Sequence, residues 1–317
     1  MGAVFRRVLL AFPIALGVSI VCFALVYIAP GDPLETVMPP DATAATIAAI
    51  KHAYGFDRPL VVQYLIWLSR TLHGNLGMSI STNRPVSFEV FQALANTLRL
   101  VTLALPAALI VGYAMGVAAA RYPGRWLDRI VSGVAVLGVS LPNYWVGVLL
   151  VIIFAVQWPL LPAADMGPVS AGPLGIFAWA DLRFMILPAI SLALIPMGII
   201  ARSTRAAVLD ISSQDFVLTL RAKGLEEGAI TRHVLRNALP QVIAVVGLQF
   251  GYLMGGSILV ETVFSWPGSG FLLGYAIRNR DVPLLQGTVL VLAMIFVVTN
   301  LVVDMLQVQV DPRLRRD

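Results

Sequence analysis

Apolar residues are concentrated in six long runs along this chain, and more polar segments separate the runs. A helix needs about 20 predominantly apolar residues to cross the hydrocarbon core of a membrane, and each run is close to or above that length. The runs cover residues 8–29, 98–120, 130–157, 184–201, 239–260 and 284–303. The pattern predicts an all-α integral membrane protein with six transmembrane helices.

The first run follows Arg6 and Arg7, as the apolar part of a signal peptide does. Its apolar stretch is longer than the 7–15 residues that are typical of a signal peptide, and no A-x-A cleavage site follows it. We therefore expect an uncleaved transmembrane helix.

The longest segment outside the predicted spans, residues 30–95, separates the first two runs. It opens with APGDP, in which proline and glycine end the first helix. Two short helices are predicted within it: one begins near Asp41 and runs through Tyr54, and the other runs from Pro59 through Leu68. We expect these helices to form a small external cap.

Basic residues predict the orientation of the spans. With a cytoplasmic N-terminus, most of the 22 Lys and Arg residues fall in short inner segments, among them Arg121, Arg125 and Arg129. Both termini are then cytoplasmic. The net charge of +5 reflects this topology and requires no nucleic-acid partner.

Residues that could bind a metal ion are few and scattered. Cys22 is the single cysteine and lies in the first run, and the histidines are His52, His73 and His233. Their spacing does not match that of metal ligands. We expect neither a metal site nor a catalytic site in this chain.

The distribution of charged residues bears on the energy source of a transporter. Apart from Arg99 at the start of the second run, no Asp, Glu, Lys or Arg lies inside the six runs. This weighs against a proton-driven secondary transporter, although sodium coupling through backbone carbonyls stays open. The two lysines, Lys51 and Lys223, lack the glycine and Ser/Thr neighbours of a P-loop. If the chain belongs to an ATP-driven pump, a partner hydrolyses the ATP.

Small residues mark a helix-packing face in the fifth span. Gly247, Gly251 and Gly255 recur on successive turns of one side, a pattern that lets helices approach closely. The partner helix belongs either to the same chain or to another subunit.

Four polar residues within or at the end of the spans are candidates for a solute pathway or gate: Asn143, Gln249, Tyr252 and Glu261. Hydrogen bonding between helices is the alternative role for Asn143 and Gln249. For Glu261 the alternative is an interfacial carboxylate beside a residue of the aromatic belt, Trp266.

The segment RAKGLEEGAITRHVLRNALP, residues 221–240, is densely charged and lies between the fourth and fifth runs. Gly224 is expected to end one helix, and Glu226 and Glu227 then fall in the first turn of the next. Apolar residues of this helix form one strip: Leu225, Ala229, Ile230, Val234 and Ala238. Two alternatives follow: an interfacial helix on anionic lipid, or an amphipathic helix that docks on a cytoplasmic partner.

RAKGL followed by RHVLRNALP resembles the cytoplasmic coupling motif of permeases in binding-protein-dependent ABC importers, specifically the dipeptide and oligopeptide branch. Further motifs of that branch occur in order along the chain: APGDP, YGFDRPLVVQYLIWL, HGNLGMSISTNRPV, SLPNYW, GLQFGYLMGGSILVETVFSWPGSG and VDPRLR. Departures are Leu220 before RAKG, Phe216 where tyrosine is common, and Pro240 one position early. These departures concern the details of the contact with the partner.

The resemblance implies the type I transmembrane fold of ABC importers in a bacterial inner membrane. It also implies partners: a second homologous permease, two cytoplasmic ATPase subunits that bind ATP and Mg²⁺, and an extracytoplasmic binding protein that delivers short peptides or a similar solute such as glutathione. The implied domains are residues 1–95, 96–307 and 308–317, with a coupling helix at about 225–237. The implied ATPase-coupling residues are Arg221, Ala222, Lys223, Gly224, Leu225, Glu226, Glu227, His233, Arg236 and Asn237.

Overall fold

The structure is a computed structural model and describes residues 2–28, 43, 45, 57–167 and 179–310. Every regular element within these residues is a helix, apart from an isolated antiparallel bridge between Met78 and Pro85. The predicted all-α membrane architecture is confirmed. The helices are α1 (Gly2–Ile28), α2 (Leu60–Leu72), α3 (Val86–Arg121), α4 (Trp126–Ser140), α5 (Asn143–Val151) with a π-helical continuation (Ile152–Gln157), α6 (Trp179–Ser212), α7 (Asp215–Ala222), α8 (Glu227–Gly256), α9 (Ile258–Val263), α10 (Ser269–Arg278) and α11 (Val282–Val310).

Four predicted runs lie on helices that are long and apolar enough to cross a membrane, namely α3, α6, α8 and α11. These helices extend beyond the apolar runs because their polar ends continue the helix outside the hydrocarbon. The first run lies on α1, in which the described apolar part is Ala11–Ala24.

The third predicted run, residues 130–157, is not one straight helix. α4 and α5 are bent by 96° relative to each other at Leu141 and Pro142. Proline lacks a backbone N–H and disfavours a helical conformation in the residue before it, and Leu141 accordingly has φ −83° and ψ 131°. The third run is therefore a pair of helices bent at Leu141 and Pro142.

The chain divides into two compact units, which are described one at a time. One unit contains residues 1–97 and 266–298, and the other contains residues 98–265 and 299–317. The domain boundaries expected from the sequence, at residues 95 and 307, stay predictions.

In the first unit, α2 packs on α1 through aromatic side chains. The ring centroid of Phe23 lies 5.5 Å from that of Tyr64 and 5.8 Å from that of Trp67, and the hydroxyls of Ser19 and Tyr64 are 2.7 Å apart. The second of the two short helices predicted between residues 30 and 95 is thus confirmed as α2, and its external position stays a prediction. The first, near Asp41, lies outside the described residues.

A buried carboxylate fixes the turn before α3 to the beginning of α11. Oδ2 of Asp281 accepts hydrogen bonds from the hydroxyls of Ser79 (2.5 Å) and Ser81 (2.7 Å) and from the Ser81 amide (3.0 Å), while Oδ1 accepts from the Leu284 amide (3.1 Å). Burial by itself raises the pKa of this carboxyl, but the hydrogen bonds outweigh burial and hold the pKa below its ordinary value. Asp281 is therefore a charged structural anchor.

The loop before α10 is held on α3 by a second set of hydrogen bonds. Nε1 of Trp266 donates to the Asn96 carbonyl (3.0 Å), and the Asn96 side-chain amide donates to the Pro267 carbonyl (2.9 Å). The Ser269 amide donates to Oγ1 of Thr97 (2.8 Å). Trp266 is 1% exposed, so its indole is a core group and not a residue of an aromatic belt.

In the second unit, α6 is the most deeply buried of the long apolar helices, with 61% of its apolar window inside the protein. Glycines let two helices approach it. A Cβ at Gly116 of α3 would lie 2.5 Å from the Ala201 carbonyl oxygen, and Gly112 is similarly close to α6. A Cβ at Gly198 of α6 would lie 2.5 Å from the Ala135 carbonyl oxygen of α4.

An ion pair that the sequence patterns did not single out joins α4 to α6. Nε and Nη2 of Arg205 donate to the two carboxylate oxygens of Asp128 at 2.6 and 2.8 Å. The Gly124 amide (2.9 Å) and the Ser132 hydroxyl (3.2 Å) donate to the same carboxylate. The side chain of Asp128 is 7% exposed and that of Arg205 is 33% exposed, so the pair fixes the turn before α4 onto α6.

Candidate functional site

A glycine turn joins α7 to α8 within the charged segment. Gly224 has a φ of +76°. Its N–H donates to the Arg221 carbonyl (2.9 Å), and the Leu225 N–H donates to the Leu220 carbonyl (3.2 Å). These bonds form a Schellman motif, which places a left-handed residue at the position of Gly224. The helix end predicted at Gly224 is confirmed.

α8 begins directly after this turn and continues into the membrane span. Glu226 has extended backbone angles at the N-cap, and Glu227 opens the first turn, where negative charge is favoured. The helix then passes through Pro240 to Gly256 without a break. The predicted coupling helix at 225–237 and most of the predicted span at 239–260 therefore lie on one helix. Membrane helices tolerate the loss of the backbone hydrogen bond that a proline removes.

The apolar strip of this helix packs inside the protein. Ile230, Val234 and Ala238 are at most 4% exposed and belong to one cluster with apolar residues of α3, α6 and α7. Leu225 packs against the same cluster. The strip is thus not free to lie on lipid or in a partner's groove. Both sequence-based alternatives assumed that this strip contacts lipid or a partner, and that assumption was wrong.

The other side of the turn and of the first part of α8 faces outward. Arg221 and Glu227 form an ion pair across the turn, with Nε and Oε1 3.1 Å apart, and both side chains are more than half exposed. The Asn237 side-chain amide donates to the His233 carbonyl (2.8 Å). The predicted coupling residues that are exposed are Arg221, Ala222, Lys223, Gly224, Glu226, Glu227, His233, Arg236 and Asn237.

Leu218 of α7 adds an apolar group to this exposed surface, and the sequence patterns did not single it out. Its side chain is 68% exposed. Val217 is buried, and Phe216 and Leu220 pack against the inner cluster. The helical period of DFVLTLRA places Leu218 on a different side of α7 from the other apolar residues. That spacing could have identified Leu218 as exposed. The exposed residues of α7, the turn and the first part of α8 are called the α7–α8 surface below.

Asn143 lies at the bend between α4 and α5 and is 7% exposed. Its Oδ1 accepts a hydrogen bond from the Tyr144 amide (2.8 Å), and its backbone carbonyl accepts one from the Ser191 hydroxyl of α6 (2.5 Å). The bond to α6 uses the Asn143 backbone, and a role of its side chain in a solute pathway or gate stays a prediction.

The other pathway candidates lie on α8 and α9. Gln249 is 8% exposed, Tyr252 is 39% exposed and Glu261 is fully buried. Oε1 of Gln249 has no hydrogen-bond partner among the described residues. A role of these residues in a solute pathway or gate stays a prediction.

The three glycines of the fifth span lie in different surroundings. A Cβ at Gly247 would overlap the Val303 side chain of α11, whereas a Cβ at Gly255 would meet nothing within 4 Å. Gly251 is buried. Gly247 therefore allows α8 to pack closely against α11 within the second unit. At Gly255 no neighbouring atom would contact a Cβ.

In the part of the chain that the structure describes, no three His, Cys, Asp or Glu residues are grouped as metal ligands.

Comparison with known proteins covers almost the whole chain. A family model described as the binding-protein-dependent transport system inner membrane component matches residues 112–316, and a model of the N-terminal part of such membrane components matches residues 1–111.

Several curated relatives match from end to end. The dipeptide transport system permease protein of Alkalihalophilus pseudofirmus is 38% identical over 98% of both chains. A putative peptide transport system permease protein of Brucella abortus is 41% identical over 99% of both chains. The glutathione transport system permease protein of Salmonella choleraesuis is 38% identical over 98% of both chains.

These relatives are permease subunits of transport systems, and such subunits are not enzymes. The multi-pass helical architecture agrees with that role. From the family match and the end-to-end similarity, the chain belongs to the inner membrane components of binding-protein-dependent transport systems, the permeases of ABC importers.

Proposed function

We propose that the chain forms half of the translocation path of an ATP-driven importer for short peptides, such as dipeptides, oligopeptides or glutathione. The names of the relatives support this substrate class, because dipeptide, peptide and glutathione permeases all match over the full length. A second homologous permease would form the other half, and an extracytoplasmic binding protein would deliver the solute.

The proposal places the contact with the ATPase subunits on the α7–α8 surface. The observation that carries it is the division of this segment into two sides: the apolar strip is buried in the protein, and charged residues together with Leu218 are exposed. An exposed leucine surrounded by charged groups provides an apolar contact with a polar rim, which is the usual composition of a protein interface.

The packing beneath this surface would transmit motion. Val217 of α7 and Ile230 and Val234 of α8 share one cluster with Ala207 and Val208 of α6. Closely packed side chains move together, so a displacement of the α7–α8 surface would shift α6 and α8. ATP and Mg²⁺ would be bound by the ATPase subunits, whose closure would supply that displacement.

The test replaces the exposed leucine with a charge. Leu218→Glu is expected to abolish both co-purification of the ATPase subunits and peptide uptake, because the apolar contact is lost. The chain should still be present in the membrane at normal levels, since the side chain is mostly exposed. The matched control is Leu72→Glu at the end of α2, where the leucine is 77% exposed and is predicted to lie on the outer side.

Two further variants examine the turn and its charge. Reversing Glu226 and Glu227 to Lys should reduce uptake in the same way. Gly224→Ala should reduce it through backbone strain at φ +76°, whereas Gly224→Asn should be milder because asparagine tolerates that conformation. Normal uptake and normal ATPase association in Leu218→Glu and in the Glu226/Glu227 variant would refute the proposed contact.

A further inference from the structure

The turn between α3 and α4 carries a group of exposed cationic and aromatic side chains. It contains Arg121, Tyr122, Arg125, Trp126 and Arg129, all of them exposed. Trp126 is 70% exposed and Tyr122 is 39% exposed. This group is called the basic-aromatic patch below.

Two of the cations share one aromatic ring. The guanidinium carbon of Arg121 lies 6.0 Å from the ring centroid of Tyr122, and that of Arg125 lies 5.7 Å from the same centroid. Arg129 follows Arg125 by one helical turn. Three positive charges held so close together repel one another, and an anion bound among them would relieve that repulsion.

Among the residues that the structure describes, no ion pair neutralises the three arginines of the patch. Asp128 is the single acidic residue between positions 118 and 135. Its carboxylate is buried, is paired with Arg205 and accepts the Gly124 amide. The ion pair therefore fixes the backbone of the turn while it leaves the charge of the three exposed arginines uncompensated.

An exposed apolar stripe continues from the patch along α4. Ile130, Val134 and Leu137 are 42–60% exposed and follow Trp126 at helical spacing. The opposite side of α4, which includes Val131 and Ala135, is buried. A ligand that matches both features has an anionic head and an apolar tail.

We propose that the basic-aromatic patch binds the headgroup of an anionic phospholipid in the cytoplasmic leaflet, with an acyl chain along the exposed stripe of α4. The basic residues of this turn predict its cytoplasmic position, and Tyr and Trp favour the membrane–water interface. Anionic lipids of that leaflet attract basic residues near a span by about 1 kcal/mol for each, which is about fivefold in affinity. A free phosphate or a soluble acidic protein would use the arginines but would leave the stripe of α4 without a role.

The test measures the fluorescence of Trp126 in the full chain, reconstituted into vesicles that contain either brominated phosphatidylglycerol or brominated phosphatidylcholine. The difference between the wild type and Trp126→Phe isolates the signal of Trp126. We expect stronger quenching by the brominated anionic lipid at equal mole fraction. The triple variant R121Q/R125Q/R129Q should lose this preference, by up to about fivefold for each arginine removed.

The matched control removes the same charge elsewhere. R84Q/R278Q/R280Q changes three exposed arginines that are predicted to lie on the outer side, and it should keep the preference of Trp126 for the anionic lipid. Added inorganic phosphate should leave the preference unchanged.

Four results would overturn the proposal. Equal quenching by both lipids, or an unchanged preference in R121Q/R125Q/R129Q, would show that the arginines select no headgroup. Quenching by neither lipid would show that protein covers the patch. Loss of the preference on addition of inorganic phosphate would show a site for free anions.

Discussion

Asp281 illustrates how a single side chain organises the predicted outer side of the first unit. Ser79 and Ser81, which donate to its carboxylate, lie about 200 positions earlier in the sequence. Hydrogen bonds to a charged group each contribute about 1.5–3 kcal/mol, more than bonds between neutral groups. The Asp281 carboxylate therefore contributes strongly to local stability and is not a candidate catalytic group.

Asp281→Asn is expected to lower the stability of the protein by about 2 kcal/mol, because the neutral amide accepts weaker hydrogen bonds. The measurement is the melting temperature of the purified chain in detergent. Asp57→Asn is the control, since Asp57 is exposed, and it should leave the melting temperature unchanged.

The same residue predicts a dependence on pH. The pKa of Asp281 lies below its ordinary value in the folded chain. Its stabilising contribution is therefore complete above the ordinary value of about 3.9 and is lost as the pH falls through the lower, folded-state pKa. Melting temperatures measured down to pH 3 should converge for the wild type and Asp281→Asn, and parallel curves would contradict the role given to this carboxylate.

At the scale of elements, the fifth span shows that one glycine pattern can serve different contacts. Gly247 packs against Val303 of α11, and Gly255 faces open space. The sequence spacing was the same at both positions, so the spacing alone could not distinguish the two surroundings.

Gly247→Ala is expected to destabilise the protein by about 1–3 kcal/mol, because the added methyl overlaps the branched Val303 side chain. Gly255→Ala should have little effect on the isolated chain. The measurement is again the melting temperature, and Val303→Ala combined with Gly247→Ala should recover part of the loss. A Gly247→Ala chain as stable as the wild type would refute the packing role.

Prediction from the sequence succeeded where one physical property dominates. The long apolar runs identified helices α3, α6, α8 and α11, since hydrocarbon selects helices of that length. Gly224 was found because a left-handed turn favours glycine. α2 was found because its apolar residues recur at helical spacing.

Prediction failed where packing decides. Pro142 breaks the third run, whereas Pro240 lies within an unbroken α8. The apolar strip of α8 looked free in the sequence because helical spacing alone does not show which other helices, here α3, α6 and α7, pack against it. Asp128 and Arg205 are 77 positions apart, so no local sequence motif indicates that they form an ion pair.

At the scale of the whole molecule, the predicted spans offer few groups that could couple transport to an ion gradient. Arg99, at the start of the second run, is the single Asp, Glu, Lys or Arg residue within the six runs. Asp128, which lies in α4, is already paired with Arg205. Ion coupling usually requires ionisable groups that can change their state within the membrane.

The full chain alone, reconstituted in proteoliposomes, is therefore expected to take up no labelled dipeptide or glutathione under a proton or sodium gradient. Uptake should appear when the second permease, the ATPase subunits, the binding protein and ATP are present. Gradient-driven uptake by the chain alone would favour a secondary transporter.

The bend between α4 and α5 has a consequence for the order of membrane insertion. Ser191, whose hydroxyl bonds the Asn143 carbonyl, belongs to α6, which leaves the ribosome after the bend has been synthesised. α6 also supplies Arg205, which pairs with Asp128 of α4, and Gly198, which lets α4 approach closely. We therefore expect residues 126–157 to be held in the bent form only after α6 has been synthesised. The third and fourth spans are then expected to insert as one unit.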